Sequence, residues 1–421
     1  KLQEKEFFAS RDPEIAKARN SAARKKLINK LPKTNPLLAE EWEQAKHFSD
    51  AQTKFIKQSG RYPLTGKKEI KEINTYTVLT ETSWKIIYSK GSAGIIAPSG
   101  IATDESSQFF IQALVDNNAL NSFYDFTNRG YIFRSLESTS SFSLLTISNL
   151  YQKIAQLASQ IWGVKDLNNT TKVYSLNIED IKQINPNTKT LPIFNNSYNA
   201  SFVSNIYKKI PVLNDINLNV NVWGISFMRM FDMSNDSENF LTSSQIQTLD
   251  QDTILPLYES KYINIFNHRA ATFEGIPEEK KYGTRAPTNL ANESQLADPE
   301  WLITPRYWIN KEQVENKTPE FWKYQWFMGF RNAISAVADS RSARLVIIPK
   351  SGVGNSMPLI FSDQPIKKLC ALAANFNALI FDYVVKQKVS GGNLNLYIVK
   401  QLPVIPPENY TQEDINYISS R

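Results

Sequence analysis

Cysteine, histidine and long apolar runs are scarce in this chain of 421 residues, and each scarcity excludes a class of protein. The single cysteine, Cys370, rules out an internal disulfide framework and fits a reducing cytoplasm. Two histidines, His47 and His268, argue against a structural zinc site or a histidine-based triad, so we expect no metal. No apolar run approaches the roughly 20 residues of a membrane span, and no signal peptide is visible, so no membrane partner is expected.

Glycine-rich phosphate loops and metal-binding motifs are missing as well. The chain contains no G-x-x-x-x-G-K-[ST], no G-x-G-x-x-G and no H-E-x-x-H. Phosphate-loop and zinc-hydrolase chemistry therefore have no support in this sequence.

The net charge of +7 is distributed unevenly along the chain. Residues 1–72 contain 17 Lys and Arg against 10 Asp and Glu, and residues 301–421 contain 14 against 9. Residues 73–300 contain 17 against 22. Two basic ends thus flank an acidic middle, which suits binding of a polyanion, although solvated helix faces would give the same pattern.

The spacing of apolar residues predicts helices over residues 1–58, interrupted at Pro36, and then a basic loop, SGRYPLTGKK. The next segments, NTYTVLTETSWKIIY, AGIIAPSGI, DESSQFFIQALVDNN, LNSFYDF and SFSLLTIS, predict helix, strand, helix, strand and strand, with Asp104 capping the second helix. This order is typical of the second half of a doubly wound sheet that ends in a hairpin. Because half a sheet is an incomplete domain and the chain begins at Lys1 without Met, we expect further sequence upstream.

A change in composition suggests a domain boundary near Leu191. Residues 165–250 are rich in Asn, Ser and Thr, and the segment LNIEDIKQINPNTKTLPIF, residues 176–194, reads as a linker that packs on what precedes it. Beyond it, ARLVIIP predicts a strand and PIKKLCALAANFNALIFDYVVKQK a helix. We therefore predict two domains, residues 1–190 and 191–421.

Six segments, taken in order, resemble one protein family. They are KLQEKEFFASRDPEIAKARNSAARKKLI, SGRYPLTG with NTYTVLTE, GIIAPSGIATDESSQFF, FYDFTNRGYIF with SFSLLTI, FMGFRNAISAVADSRSARLVIIPKSGVGN, and LNLYIVKQLPVIPP. The chain resembles the adenine-specific, amino-directed DNA methyltransferases of large single-chain restriction-modification and DISARM-type phage-defence systems. The resemblance implies an α/β fold: the second half of a Rossmann-like methyltransferase sheet over residues 1–190, followed by an α+β target-recognition domain over residues 191–421. It also implies S-adenosylmethionine as methyl donor, double-stranded DNA and other defence-system subunits as partners, and the bacterial cytoplasm as location.

The chain departs from that family at its beginning. The glycine-rich S-adenosylmethionine loop and the Asn-Pro-Pro-aromatic tetrapeptide precede the matching segment in the family, and neither occurs here. The resemblance therefore implies a C-terminal part whose cofactor site lies mostly upstream, and which we expect to be inactive alone. A DNA-specificity module that serves a separate methylase or nuclease is the alternative.

The loop DFTNRGYIF, Asp125 to Phe133, is too long for a tight hairpin and carries two aromatic residues. Chemistry on the amine of a base requires the base to leave the duplex, and an aromatic ring can replace its lost stacking. By resemblance Phe133 matches that stacking position best, and Tyr131 is the second choice. Both rings could instead cap the sheet as core residues.

Other positions match the family less specifically. Asn74, Tyr76, Pro98 and Ser99 are candidates for the cofactor side, although Pro98 and Ser99 could form a plain strand-to-helix turn. Candidates for DNA contacts comprise basic side chains for phosphates or guanine, amides for adenine and a glycine for close approach of the backbone. They are Arg61, Lys67, Lys68, Arg331, Asn332, Arg341, Arg344, Lys350, Gly352 and Asn355. The loop that carries Arg61, Lys67 and Lys68 could equally be a solvated loop.

Overall fold

The structure is a computed structural model that describes residues 2–18, 21–70, 73–283, 286–334, 339–389 and 392–421. The chain divides into two compact units, each with its own core. The first comprises Lys1–Ile181 with Thr188–Leu191, and the second comprises Lys182–Asn187 with Pro192–Arg421.

The first unit begins with helices and continues with a sheet. Its helices are α1 (Glu4–Ala9), α2 (Pro13–Ala16), α3 (Ser21–Ile28), α4 (Leu31–Thr34), α5 (Pro36–Gln58), α6 (Thr75–Ile86), α7 (Gly100–Thr103) and α8 (Gln108–Asp116). Its strands are β1 (Ser92–Pro98), β2 (Leu120–Thr127), β3 (Ser141–Ser148), β4 (Ile154–Ile161) and β5 (Val173–Asn177), and α9 (Ile178–Ile184) contains the boundary to the second unit.

The amino-terminal helices have a small core of their own. Phe8 is fully buried and its ring lies 5.1 Å from that of Trp42, with Ile15, Leu31 and Leu38 buried in the same cluster. As predicted, the chain is interrupted before Pro36, which occupies the first turn of α5. Proline suits that position because its missing N–H would have no partner within the helix.

The five strands of the first unit form a mixed sheet in the order β1-β3-β2-β4-β5. β3 is antiparallel to both β1 and β2, β4 is parallel to β2, and β5 is antiparallel to β4. The predicted order of helices and strands from residue 75 to residue 148 is confirmed. The predicted cap at Asp104 is wrong, because Ser107 occupies the N-cap position of α8.

The second unit is built from short elements around three small sheets. Its helices are α10 (Ser197–Tyr207), α11 (Ser243–Ile246), α12 (Glu278–Lys281), α13 (Glu293–Ala297), α14 (Lys311–Lys317), α15 (Ile366–Asn377), α16 (Leu379–Lys388), α17 (Leu396–Lys400) and α18 (Gln412–Ser419). Its strands are β6 (Ser226–Met228), β7 (Ile254–Tyr258), β8 (Ala271–Thr272), β9 (Asn289–Leu290), β10 (Trp308–Asn310), β11 (Trp326–Phe330), β12 (Leu345–Pro349), β13 (Gly352–Val353) and β14 (Leu359–Phe361).

These strands pair as β12-β11-β14-β6, β10-β7-β13 and β8-β9. A buried ion pair supports this unit: Arg306 Nε and Nη2 donate to the two carboxylate oxygens of Glu259 at 2.7 and 2.8 Å. The remaining donor group of Arg306 contacts the carbonyls of Lys281 and Gly283, so the buried guanidinium is well partnered. The chain as a whole is a mixed α/β protein, as predicted, with several small mixed sheets.

The predicted strand ARLVIIP is observed as β12, whereas the long predicted helix near the end of the chain is two helices. α15 and α16 meet at Ala378, where the backbone is extended and the axis bends by 57°. Within the part of the chain that the structure describes, no single helix is long and apolar enough to cross a membrane, and only this bent pair passes that test jointly.

Candidate functional site

One edge of the sheet in the first unit collects polar and aromatic side chains. β1 ends at Pro98, β2 at Thr127 and β4 at Ile161, and these three strands run in the same direction. Ligands of open α/β sheets bind outside the carboxyl ends of such strands. We call this region, residues 98–100, 125–140 and 161–168, the carboxyl edge.

A buried hydroxyl–carboxyl pair lies at the carboxyl edge. Ser99 Oγ donates a hydrogen bond to Asp125 Oδ1, and the two residues are only 6% and 8% exposed. Burial raises the pKa of Asp125 to about 6, against the opposing effect of the hydrogen bond from Ser99. Asp125 can therefore gain or release a proton near neutral pH.

Asn128 organises the loop between β2 and β3. This side chain is completely buried, and its Nδ2 donates to the carbonyls of Phe133 at 2.8 Å and Leu136 at 3.0 Å. Its Oδ1 accepts from Phe133 N at 3.0 Å, and its own N–H donates to Ser140 O at 2.8 Å. One amide thus satisfies main-chain groups along the whole loop, which replaces the hydrogen bonds of a regular turn.

The two aromatic residues of this loop lie in different environments. Tyr131 is 61% exposed and has left-handed backbone dihedrals, φ 49° and ψ 39°. Phe133 is half-buried, with its ring 4.9 Å from that of Phe142 in an edge-to-face contact. The structure therefore gives Phe133 a packing role in the core around Phe126 and Phe142, and presents Tyr131 to solvent.

The candidates for the cofactor side lie near the same edge. Asn74 is the N-cap of α6 and Tyr76 lies in its first turn, where Tyr76 interacts with the side chains of Ser107 and Asn74 and with the charge of Asp104. Burial raises the pKa of Tyr76 and that of Asp104. Pro98 is exposed, and Ser99 is occupied by the bond to Asp125.

The basic loop before α6 is held by a buried carboxylate. Glu81 in α6 is completely buried and accepts from Leu64 N at 3.3 Å and Thr65 N at 2.8 Å, and it also pairs with Lys85 at 2.9 Å. This anchoring leaves the candidate side chains Arg61, Lys67 and Lys68 exposed. Arg61 lies over the Phe55 ring at 5.7 Å, and Lys67 over the Phe109 ring at 4.1 Å.

Three candidates of the second unit, Arg331, Asn332 and Arg344, lie near the end of β11, whereas Lys350 lies at its beginning, where Lys350 N donates to Gln325 O at 2.9 Å. Arg331 follows β11, and its N–H donates to Arg344 O at 3.0 Å. Arg344 also pairs with Asp339 at 3.0 Å, and its side chain is 12% exposed. Burial lowers the pKa of Arg331, and the Arg344 charge lowers it further. Asn332 and Lys350 are both half-buried, and Asn332 Nδ2 donates to Asn393 at 3.3 Å.

Three further candidates have partners within the protein. Arg341 pairs with the buried Asp382 at 3.3 Å, and Asn355 Nδ2 donates to Asp232 Oδ2 at 2.7 Å. Gly352 was predicted to allow close approach to DNA, and this reason is wrong. Gly352 is buried in β13, where a Cβ atom would lie 2.5 Å from the Ile309 side chain. The glycine therefore allows Ile309 of the core, and not DNA, to approach the backbone closely.

The sequence interpretation missed Asp125 and Asn128. Asp125 is a carboxylate inside an apolar strand, and Asn128 immediately follows that strand within the sequence TNRG. Both are polar residues at the end of a buried strand, which was the available signal. Neither the residue type of Asn128 nor its spacing from other residues indicated that its side chain would be buried and hydrogen-bonded to Phe133 and Leu136.

Comparisons with known proteins gave weak structural similarities. No family model and no curated protein matches the chain. The type IIL restriction-modification enzyme MmeI in complex with DNA is 8% identical, with a TM-score of 0.41, over 86% of this chain and 46% of that one. The type IIG restriction endonuclease BpuSI is 10% identical, with a TM-score of 0.31, over 87% and 46%. The methyltransferase subunit of a type I restriction-modification system from Streptococcus thermophilus is 11% identical, with a TM-score of 0.27, over 32% and 33%. The chain therefore spans less than half the length of these proteins.

Proposed function

We propose that this chain is the C-terminal part of a DNA adenine methyltransferase that acts in restriction-modification or phage defence. The methyl group would pass from S-adenosylmethionine to the exocyclic amine of an adenine that has left the duplex. The observation that carries the proposal is the Tyr131 ring, exposed at the carboxyl edge on a loop that the buried Asn128 holds in place.

An exposed ring on a fixed loop suits a base that has left its stack. The enzyme must replace the lost stacking, which is worth ~1–3 kcal/mol per base, and a preformed aromatic face does so without first ordering a loop. The left-handed backbone at Tyr131 costs roughly 1–2 kcal/mol in a non-glycine residue. A strained backbone that presents an aromatic ring to solvent is a feature that function explains better than stability does. Tyr131 is therefore our first candidate for the stacking residue, and Phe133 supports it from the core.

The arrangement of strands supports a methyltransferase-like sheet. β1 and β2 are parallel to each other with the reversed β3 between them, so the hairpin β2-β3 folds back into the sheet. β3 is thus inserted antiparallel between two parallel strands, and β4 and β5 continue the sheet beyond β2. On this proposal, residues 1–190 complete a Rossmann-like catalytic domain and residues 191–421 form the target-recognition domain.

The residues beside β1 fit one wall of a site for S-adenosylmethionine. When bound, that cofactor supplies an electrophilic methyl group. Pro98 presents an exposed apolar surface, and the Asp104 carboxylate packs against Gly100, where a Cβ atom would displace the carboxylate. The exposed Asp104 carboxylate, which interacts electrostatically with Tyr76, can accept hydrogen bonds from a cationic ligand. Asn74, Tyr76, Pro98 and Ser99 would border the cofactor, and Ser99 would act through its contact with Asp125.

Contacts to DNA would come from both units. In the first unit the exposed Arg61, Lys67 and Lys68 suit phosphates. In the second unit Arg331, Asn332 and Lys350 keep part of their polar surface exposed, whereas Arg341 and Arg344 are largely occupied by Asp382 and Asp339. We therefore rank Arg331 above Arg344 as a residue that contacts DNA.

Sequencing of DNA modified in living cells tests this function. The complete gene that contains this chain would be expressed in a methylation-deficient bacterium, and N6-methyladenine would be mapped by single-molecule sequencing. We expect methylation at one motif, a loss of about 10- to 100-fold in methylation rate for Tyr131→Ala, and retention for Tyr131→Phe. Tyr151→Ala is the matched control, because Tyr151 is 73% exposed in the β3–β4 connection at the opposite edge of the sheet. Absence of methylated adenine from cells that contain the wild-type protein would refute the proposal.

A DNA-specificity module without catalysis remains the second candidate. The observation that favours it is that Arg61, Lys67 and Lys68 in the first unit are exposed and that Arg331 and Lys350 in the second unit keep part of their surface exposed. DNA binding without methylation by the product of the complete gene would support this candidate.

A further inference from the structure

A second aromatic surface lies beside the Tyr131 loop. Trp162 follows β4 directly, and it is 49% exposed although tryptophan has a large apolar ring. The guanidinium of Arg129 lies over this ring, with its central carbon 5.1 Å from the ring centroid. A half-exposed indole that is covered by one exposed arginine side chain is a surface that a flat ligand can enter.

The main chain around Trp162 is fixed. Asp166 Oδ2 accepts from Trp162 N at 2.9 Å and from Gly163 N at 3.3 Å, and its Oδ1 pairs with Lys172 at 3.3 Å. These interactions lower the pKa of Asp166, and the hydrogen bond from the Trp162 N–H has the largest effect. The carboxylate is therefore ionised at neutral pH and holds the turn that carries the indole.

Trp162 is also joined to the loop that carries Tyr131. Gly130 packs against the carbonyl of Trp162 so closely that any Cβ atom would overlap that oxygen. Arg129 and Gly130 belong to the 3₁₀ turn Asn128–Gly130, and Tyr131 is the next residue. The two exposed rings are thus presented by segments in direct contact, at the same edge of the sheet.

The charge around these rings is positive. Arg129, Arg134 and Lys165 are exposed, and no carboxylate among the described residues pairs with Arg129 or Arg134. Exposed aromatic rings interleaved with unpaired cations are typical of surfaces that bind unpaired nucleic acid strands, where bases stack on the rings and phosphates meet the cations.

We propose that Arg129 and Trp162 bind the unpaired nucleotides next to the extruded base, with a base stacked on the indole and a phosphate held by the guanidinium. The ligand class is a locally unpaired DNA strand. This inference rests on the proposed function, since it places a second stacking surface beside Tyr131. Entry of a base requires only that Arg129 swing off the ring, because no described residue pairs with its guanidinium.

Binding of defined oligonucleotides to the full chain tests this site. The probes would be a fluorescein-labelled 24-mer duplex and the same duplex with four central mismatches that leave the bases unpaired. We expect the wild-type chain to bind the mismatched duplex more tightly, and Trp162→Ala to lose about tenfold in affinity for it. Trp162→Phe should retain most of the preference, and Arg129→Gln should lose part of it. Tyr151→Ala serves as the matched exposed aromatic at the opposite edge and should match the wild type.

Three outcomes would overturn the inference. They are equal affinity of Trp162→Ala and Tyr151→Ala for the mismatched duplex, an equal loss on the fully paired duplex, and a wild-type chain without preference for unpaired bases. If Trp162→Ala lowers the thermal midpoint, the affinities of Trp162→Phe and Arg129→Gln for the mismatched duplex decide instead, because both substitutions preserve the turn. Retention of the preference in Trp162→Phe and partial loss in Arg129→Gln would support the site, and wild-type affinity in Arg129→Gln would contradict it. If the complete protein methylates adenine but the chain does not prefer the mismatched duplex, the proposed function is supported and the Trp162 site is refuted. If the chain shows the preference but the complete protein does not methylate adenine, the site is supported and the proposed function is refuted.

Discussion

The side-chain amide of Asn128 brackets Phe133, because Nδ2 donates to the Phe133 carbonyl at 2.8 Å and Oδ1 accepts from the Phe133 N–H at 3.0 Å. The same Nδ2 reaches Leu136 O, and all of these bonds are shielded from water because Asn128 is completely buried. The conformation of the loop therefore depends on one side chain rather than on a regular turn. Tyr131 lies between Asn128 and Phe133, the two residues that these bonds join.

Replacement of Asn128 should disturb the loop and the protein together. Asn128→Ala removes the bonds to the Phe133 and Leu136 carbonyls and the bond from the Phe133 N–H, and of these three groups the Phe133 carbonyl keeps the bond from Leu136 N at 3.1 Å. We therefore expect a loss of about 2–3 kcal/mol in the free energy of unfolding, measured by urea denaturation. Asn128→Asp keeps the acceptor for Phe133 N but places a buried carboxylate oxygen against the Phe133 and Leu136 carbonyls, so at neutral pH it should be no more stable than Asn128→Ala. A fully stable Asn128→Ala variant would mean that the loop is held by its apolar contacts instead.

Tyr131 and Phe133 should separate in a paired measurement of stability and methylation. Phe133→Ala removes a half-buried ring that packs on Phe142, so we expect a loss of about 1–3 kcal/mol in stability. Tyr131→Gly removes the exposed ring and also the strain of the left-handed backbone, so stability should be unchanged or rise by about 1 kcal/mol. Methylation by the complete protein should nevertheless fall about 10- to 100-fold in Tyr131→Gly. Loss of activity in the folded fraction of Phe133→Ala alone would return Phe133 to first place as the stacking residue.

Asp125 should make the stability of the protein depend on pH. Its folded-state pKa of about 6 lies above the value of about 3.9 in an unfolded chain, so between these values the folded state keeps a proton that the unfolded state releases. Stability from this group is therefore complete below about pH 4 and is lost as the pH rises through about 6. Asp125→Asn should be more stable than the wild type at pH 7.5 by up to about 2–3 kcal/mol, and the difference should shrink towards pH 4 in urea titrations.

Ser99→Ala is the companion variant for that titration. The hydrogen bond from Ser99 opposes the rise of the Asp125 pKa, so its removal should shift the loss of stability to higher pH. A midpoint of the pH dependence that does not move in Ser99→Ala would contradict the contact between the two residues.

Arg331 and Arg344 should differ in what their replacement costs. Arg344→Ala removes the ion pair of 3.0 Å with the partly buried Asp339, so we expect a loss of about 1–3 kcal/mol in stability. Arg331→Ala should leave the thermal midpoint nearly unchanged and weaken binding to DNA. If Arg331 contacts a phosphate, the slope of log affinity against log salt should fall by about 1, and if it reads a guanine, one base position should lose about 1–3 kcal/mol of discrimination. An unchanged affinity at every salt concentration would remove Arg331 from the DNA-binding surface.

The sequence alone determined the order of the helices and strands between residues 75 and 148 and the change to short, irregular elements further on. In segments such as QFFIQALVD and SFSLLTIS the spacing of apolar residues is visible within a few residues. Because each spacing matches either a helix or a strand, the local sequence is enough to predict the element. The position of Pro36 at a helix start follows from the same local rules.

Tertiary structure decided which of two neighbouring aromatic rings faces solvent. Phe133 is half-buried because Phe142, nine residues further along the chain, lies beside it, and Tyr131 is exposed because Asn128 and the close contact of Gly130 with Trp162 fix the loop. Likewise, Arg341 and Gly352 are candidates for DNA contacts in the sequence. In the fold, however, Arg341 pairs with Asp382 and Gly352 packs against Ile309. These partners are distant in sequence, and burial and charge pairing depend on what packs nearby in space, so no local pattern contains them.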